Sequence, residues 1–349
     1  MVKKDFCLSS YLAYRFIYKE GVEFAENMTH HNYTPIADEF RVPVSNACEM
    51  DTDISHQIEE LYQKYSSIGV LLSGGMDSAI VASYLRPGSH AYTFTTTQSN
   101  VFDADVNRAK KYCARLGLMH HLVEIDFDDY KRFTPITMRR KGAPVHSIEP
   151  QIYKAALSAK EDDVEMILVG ESADLIFGGM DKLISQDWEF ESFVKRYTFL
   201  PPEQVLTTPD MSVYELYDQY RLPDGKIDFM RFMDEVFAIE SSGSYMNAFD
   251  VADLPYYDPY ARLVMKEPLD MSRVRNGEPK YLVRELFSLR YPGLEIPFKI
   301  PMPRPVDAIF KDWNGPIRPE FRQDIDMTAL TGNQKWQLWC AEQFLNMIE

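Results

Sequence analysis

Four short runs in the first half of the chain, IGVLL (68–72), AYTFTT (91–96), HHLVEI (120–125) and MILVG (166–170), gather apolar and β-branched residues over lengths that suit strands. Between them the apolar spacing turns helical. Ile54, Ile58, Leu61, Tyr62 and Tyr65 share one helix face before the first run, and Ala109, Tyr112, Cys113 and Leu116 share one after the second. Strands alternating with helices predict an α/β fold, a parallel sheet with helices on both faces. After Gly179 the chain is rich in Phe, Tyr, Trp, Met and Pro, with helical spacing over 229–239 and 335–347, which predicts a mainly helical C-terminal lobe. LAYRFIYKEGVEFAENM near the start reads as one helix broken at Gly21. The expected organisation is an N-terminal helical and irregular segment (1–53), an α/β core (54–185) and a helical lobe completing an acceptor site (186–349).

Charge narrows the class. The 349 residues carry 53 acidic and 37 basic side chains, a net charge of -16, so nucleic acid and anionic membrane surfaces are not expected partners. MVKKDFCLSS has no apolar stretch behind its basic start, and no apolar run approaches the roughly 18 residues of a membrane span. Cys7, Cys48, Cys113 and Cys340 form no CxxC pair, which reads as packed thiols in a reducing, cytoplasmic setting. His30-His31 reads as loop and His120-His121 as part of a buried strand. Tyr256, Tyr257 and Tyr260 read as packing residues that could line an acceptor pocket.

The candidate chemistry lies where the first run ends. Ser73-Gly74-Gly75-Met76-Asp77-Ser78 leads into a helix expected over 79–85, at the carboxyl end of a strand where sheets of this class bind ligands. Glycines let backbone N–H groups approach an anion, and Ser73 and Ser78 add hydroxyls, so phosphate is the expected guest. A carboxylate beside phosphate is repulsive unless a divalent cation lies between them, which makes Asp77 a candidate Mg²⁺ ligand; the alternative is a tight turn with Asp77 as a helix cap. No lysine follows the glycines, so this is not the GxxxxGK[ST] loop. SGGxDS after a strand resembles the pyrophosphate loop (PP-loop) of the ATP pyrophosphatases.

GESADLIFGGM (170–180) follows the fourth run and again sets acids and glycines at a strand end; it is similar to the SGEGADELFGGY signature of the asparagine synthetases. The resemblance extends through YLAYRFIYKEGVEFAENM, DADVNRAKKYCARLGLMHHLVEI, LPYYDPYARLV with Pro255 and Asp258 in register, KYLVREL (280–286) and PFKIPMP. It implies an adenine nucleotide alpha hydrolase-like fold and an ATP-dependent, AMP-forming ligase that adenylates a small carboxylate and transfers ammonia or an amine. On that resemblance Leu72, Ser73, Gly74, Gly75, Asp77, Ser78, Thr95 and Gly170 hold ATP, Asp77 and Asp174 hold Mg²⁺, and Glu171 and Lys299 are catalytic, with Lys299 neutralising the departing pyrophosphate.

Departures bear on the substrate. The terminal cysteine of the family's glutaminase domain is missing, since Met1 is followed by Val2; the nitrogen is therefore expected as free ammonia, as another amine, or from a separate glutaminase. Val169, Ser172 and Leu175 stand where the family shows Ser, Gly and Glu, while Val251 and Asp253 replace an acid and an arginine, which argues against aspartate as acceptor. The alternatives are a β-lactam synthetase-like cyclase, although those enzymes carry tyrosine at the Glu171 position, a tRNA-thiolating PP-loop enzyme, or a non-catalytic nucleotide-binding relative.

Overall fold

All four apolar runs are strands of one sheet. The computed structural model describes residues 1–298 and 302–349. Among them the strands are β1 (Val42–Val44), β2 (Ile68–Leu71), β3 (His90–Thr95), β4 (Met119–Glu124), β5 (Met166–Leu168), β6 (Tyr256–Tyr257) and β7 (Leu263–Met265). The main sheet has the order β4-β3-β2-β5-β6 and every pairing in it is parallel, while β1 and β7 form a separate two-stranded ladder. Each residue of β2 and β5 is buried, as strands covered on both faces require.

Helices cover both faces. α1 (Lys4–Tyr14), α2 (Ala47–Tyr62), α3 (Met76–Ala82), α4 (Asp103–Leu116), α5 (Phe127–Lys141), α6 (Glu149–Glu161) and the short α7 (Ala173–Ile176) precede the lobe. Side chains of α2, α3, α4 and the later helix Tyr281–Arg290 build one core; α1, α5, α6 and most of the C-terminal lobe build the other. Strand alternation divides neighbouring residues between the two: Ala91 and Leu168 face the first core, Tyr92 and Ile167 the second. Local signals set the ends of these helices. Asn46 caps α2 by accepting from Cys48 and Glu49 N–H at 3.0 Å, and α4 and α5 stop at Gly117 and Gly142, both left-handed.

From β2 the chain adds strands outward through β3 to β4, then returns across the sheet to lay down β5 and later β6. The turns after β2 and β5 therefore open into one crevice, at the switch point where such sheets bind ligands. No helix among the described residues is long and apolar enough to cross a membrane.

Several expectations need correction. The N-terminal segment is not one long helix broken at Gly21: α1 ends at Arg15, whose φ of 68° is left-handed, and the chain then folds back so that Val2 bridges Glu23. α3 begins at Met76 rather than near 79, because Gly75 takes the N-cap position; Asp77 lies in the first turn and does not cap it. β4 is the edge strand, so His120 and His121 are half-buried rather than buried. The lobe returns to the sheet by contributing β6, which extends it beside β5.

Candidate active site

The turn after β2 is held by its own hydroxyls. Ser73 N–H donates to Ser78 Oγ at 3.1 Å, the two serine hydroxyls lie 2.9 Å apart, and Gly75 N–H donates to Ser73 Oγ at 3.1 Å. Gly74 has no room for a side chain: a Cβ there would fall 2.6 Å from Arg108 Nε and 2.7 Å from Asp105 Cα. Leu72 closes the strand, its N–H bonded to Tyr92 O at 2.8 Å and its carbonyl accepting from Thr93 Oγ1 at 2.7 Å; Thr95 ends β3 alongside. Gly170 sits against the start of α3, where a Cβ would approach Asp77 C to 3.0 Å. The two turns are thus in contact through backbone.

Asp77 and Asp174, which lie 97 residues apart in sequence, are bridged by Lys280. Lys280 Nζ lies 2.6 Å from Asp77 Oδ2 and 2.7 Å from Asp174 Oδ1, with its side chain only 6% exposed. Burial lowers the ammonium's pKa, but attraction from the two carboxylates outweighs it and leaves Lys280 above its ordinary value. Gly179 completes this wall: a Cβ there would lie 2.7 Å from Lys280 Cδ and 2.8 Å from Asp174 Cα.

Glu171 faces a neighbouring cavity of about 180 Å³, lined among others by Ile36, Arg41, Tyr245, Met246, Tyr256, Tyr257, Asp258 and Arg262. Desolvation, reinforced by repulsion from Asp258, Asp174 and Glu240, pushes Glu171 up to about 8 against the hydrogen bond from Ser241, so it is largely protonated at neutral pH. Burial also raises Asp258 to about 6, although it accepts the N–H groups of Ser172 at 2.7 Å and Tyr260 at 3.0 Å.

The structure brings together Leu72, Ser73, Gly74, Gly75, Asp77, Ser78, Gly170, Glu171 and Asp174 around the crevice. Lys299 lies outside the described residues. Two further cations stand here that the motifs do not single out: Lys280, which bridges the two acids, and Arg108, whose Nε lies against Gly74. Lys280 lay within the quoted KYLVREL stretch, but nothing local marks its ammonium as the partner of two acids 203 and 106 positions away. Asp253, where the family carries arginine, caps the helix Ala238–Ala252 in a left-handed conformation with its side chain fully exposed, and it does not line the cavity.

Residues 53–226 match the asparagine synthase family model. The chain carries an asparagine synthase domain. The "Asparagine synthetase [glutamine-hydrolyzing]" of Sandersonia aurantiaca is 31% identical over 131 residues, covering 32% of this chain and 23% of that protein, so the match spans about a quarter of the relative's length. Among solved structures, the NH3-dependent NAD synthetase from Campylobacter jejuni subsp. jejuni NCTC 11168 matches with a TM-score of 0.28 and 14% identity over 67% of this chain and 93% of that one. The NMN synthetase from Francisella tularensis matches with a TM-score of 0.29 and 15% identity over 64% and 99%. The family match and the SGGxDS turn together mark an ATP-using PP-loop domain.

The asparagine synthase domain offers a donor set that fits Mg²⁺. Two carboxylates already gather around a positive charge beside a turn of hydroxyl and N–H donors, and Mg²⁺ is held by one or two carboxylates plus substrate phosphate oxygens.

Proposed function

We propose that the protein is an ATP-dependent, AMP-forming amide ligase. The observation that carries this reading is the convergence of Asp77 and Asp174 on Lys280, at the mouth of the phosphate turn and beside the Glu171 cavity. The acceptor carboxylate oxygen attacks the α-phosphorus of ATP, the bond to the β-phosphate oxygen breaks, and pyrophosphate leaves. An amine or ammonia then attacks the acyl carbon, AMP leaves, and the proton lost from nitrogen passes to a base. Mg²⁺ held by Asp77 and Asp174 would neutralise the triphosphate, and Lys280 and Arg108 add fixed positive charge where negative charge develops on the leaving pyrophosphate. Glu171, raised to about 8, takes that proton in its ionised form and returns it to solvent, so this role goes with a rate that climbs as pH rises toward 8.

The cavity supports an acceptor with an apolar or ring-shaped body. Tyr245, Met246, Tyr256 and Tyr257 offer flat and flexible apolar surface, while Arg41 and Arg262 supply positive charge for an anionic group distant from the reacting carboxylate. Arg41 Nε is buried with no hydrogen-bond partner among the described residues.

Carboxylate-dependent exchange of labelled pyrophosphate into ATP, run over a panel of sugar acids, amino acids and aromatic acids, tests the reading. Exchange with at least one acid and AMP as the nucleotide product supports it. ADP as the product, or tight ATP binding without exchange across the panel, counts against it.

A further inference from the structure

We propose that His90, His121 and Asp162 form a binding site for a transition-metal dication of the zinc class, separate from the PP-loop and at the other end of the sheet. The sheet's register assembles the site. His90 and Tyr92 alternate onto one face of β3, and His121 of β4 pairs with Tyr92, so it shares that face. Asp162 caps the end of α6, which packs over these strands. The first ligand opens β3 and the second lies in the first half of β4, whereas the phosphate turn follows the carboxyl end of the parallel β2.

The donor atoms already stand close to the spacing a tetrahedral ion needs. With metal–nitrogen and metal–oxygen bonds of about 2.0–2.1 Å, neighbouring ligand atoms of a tetrahedron lie about 3.3–3.4 Å apart. His121 Nδ1 is 3.3 Å from Asp162 Oδ2 and His90 Nδ1 is 3.8 Å from the same oxygen. The imidazoles stack at 4.9 Å with an 11° interplanar angle, so capture tilts the rings toward a shared ion, a side-chain motion. Tyr92 Oη donates to Asp162 Oδ2 at 2.9 Å and orients the carboxylate, as outer partners of metal ligands do.

Two features favour a cation here. α6 spans 13 residues and its carboxyl end, with its partial negative charge, terminates at Asp162. His121 Nε2 is buried with no hydrogen-bond partner among the described residues, so the ring's polar contact runs through Nδ1, 3.3 Å from Asp162 Oδ2. Two imidazoles and one carboxylate prefer zinc-like ions over Mg²⁺, and side-chain exposures of 18%, 28% and 33% leave solvent access for a fourth, water ligand. The neighbouring His120 is not part of the set; its Nε2 lies 2.9 Å from Thr93 Oγ1. An ion at this point ties the edge strand β4 to β3 and to the end of α6.

The test is equilibrium dialysis of the metal-stripped full chain against Zn²⁺, with Co²⁺ absorption reporting geometry. The expected result is one bound equivalent with tetrahedral Co²⁺ bands, lost in His121→Ala and Asp162→Asn, weakened about 10- to 100-fold in Tyr92→Phe, and kept in Asp77→Asn and Cys48→Ser. Circular dichroism identifies any variant that fails to fold, and Tyr92→Phe, which keeps every ligand, then provides the reading. No binding by the parent chain overturns the proposal, as does an equivalent that survives in folded His121→Ala and Asp162→Asn, or one that disappears with Cys48.

Discussion

Replacing Lys280 by methionine removes the ammonium from between Asp77 and Asp174 while keeping most of the side chain's volume. The lysine is 6% exposed and the acids 19% and 32%, so both carboxylates lose a close positive charge in a site with little water. Breaking a buried ion pair by deleting one partner costs about 3–5 kcal/mol, and the partial exposure of Asp174 points to the lower end. At about 2.1 cal/mol/K per residue, a 349-residue chain unfolds with an entropy near 0.7 kcal/mol/K, so a loss of ~3 kcal/mol lowers Tm by about 4 °C. The same acids are the expected Mg²⁺ ligands, which gives the variant a distinctive response. Mg²⁺ with a non-hydrolysable ATP analogue should stabilise Lys280→Met more than the parent, because ligand binding replaces the missing charge. Differential scanning calorimetry with and without the analogue reads both effects. A variant as stable as the parent, or one whose deficit is unchanged by the ligand, would show that Lys280 does not offset the charge of the two acids.

Other perturbations read different parts of the site. Gly179→Ala places a methyl against Asp174 and Lys280; kcat should fall by about 100-fold, as for a misplacement near 1 Å, while the circular dichroism spectrum stays unchanged. A drop in activity matched by loss of fold would contradict this. Glu171 is raised from 4.5 to about 8, so its contribution to stability is present below its unfolded value and is lost as pH rises toward 8. Glu171→Gln removes that titration, and its Tm relative to the parent should climb between about pH 5 and pH 8; a flat difference would show that the carboxyl ionises normally. Arg41→Met should raise the KM of an anionic acceptor about tenfold, equivalent to ~1.5 kcal/mol, and leave the KM of ATP unchanged. Equal effects on both would remove Arg41 from the acceptor cavity.

The sheet was legible because its strands are continuous apolar runs and β2 and β5 are followed directly by glycine-rich turns. Such signals are local, and so are the acids within them. What lay beyond the sequence was set by distance along the chain. β6 is only two residues long and is a strand because Ile167 and Leu168 offer it an edge. Lys280 enters the site through a left-handed turn ahead of its helix, a conformation no nearby residue announces. α1 stops at Arg15 without glycine or proline, and the helix expected over 229–239 contains a π-turn at Met233–Phe237 that the apolar spacing alone does not reveal. His90, His121 and Asp162 come together only through strand register and the length of α6.

Transfer of the adenylyl group of ATP to a carboxylate is the reaction proposed for this crevice. Labelling the oxygens of the accepted acid with ¹⁸O and analysing the nucleotide product by mass spectrometry and ³¹P NMR tests it most directly. One labelled oxygen in AMP, with unlabelled pyrophosphate, is the predicted result; label in inorganic phosphate alongside ADP, or AMP free of label, would contradict it.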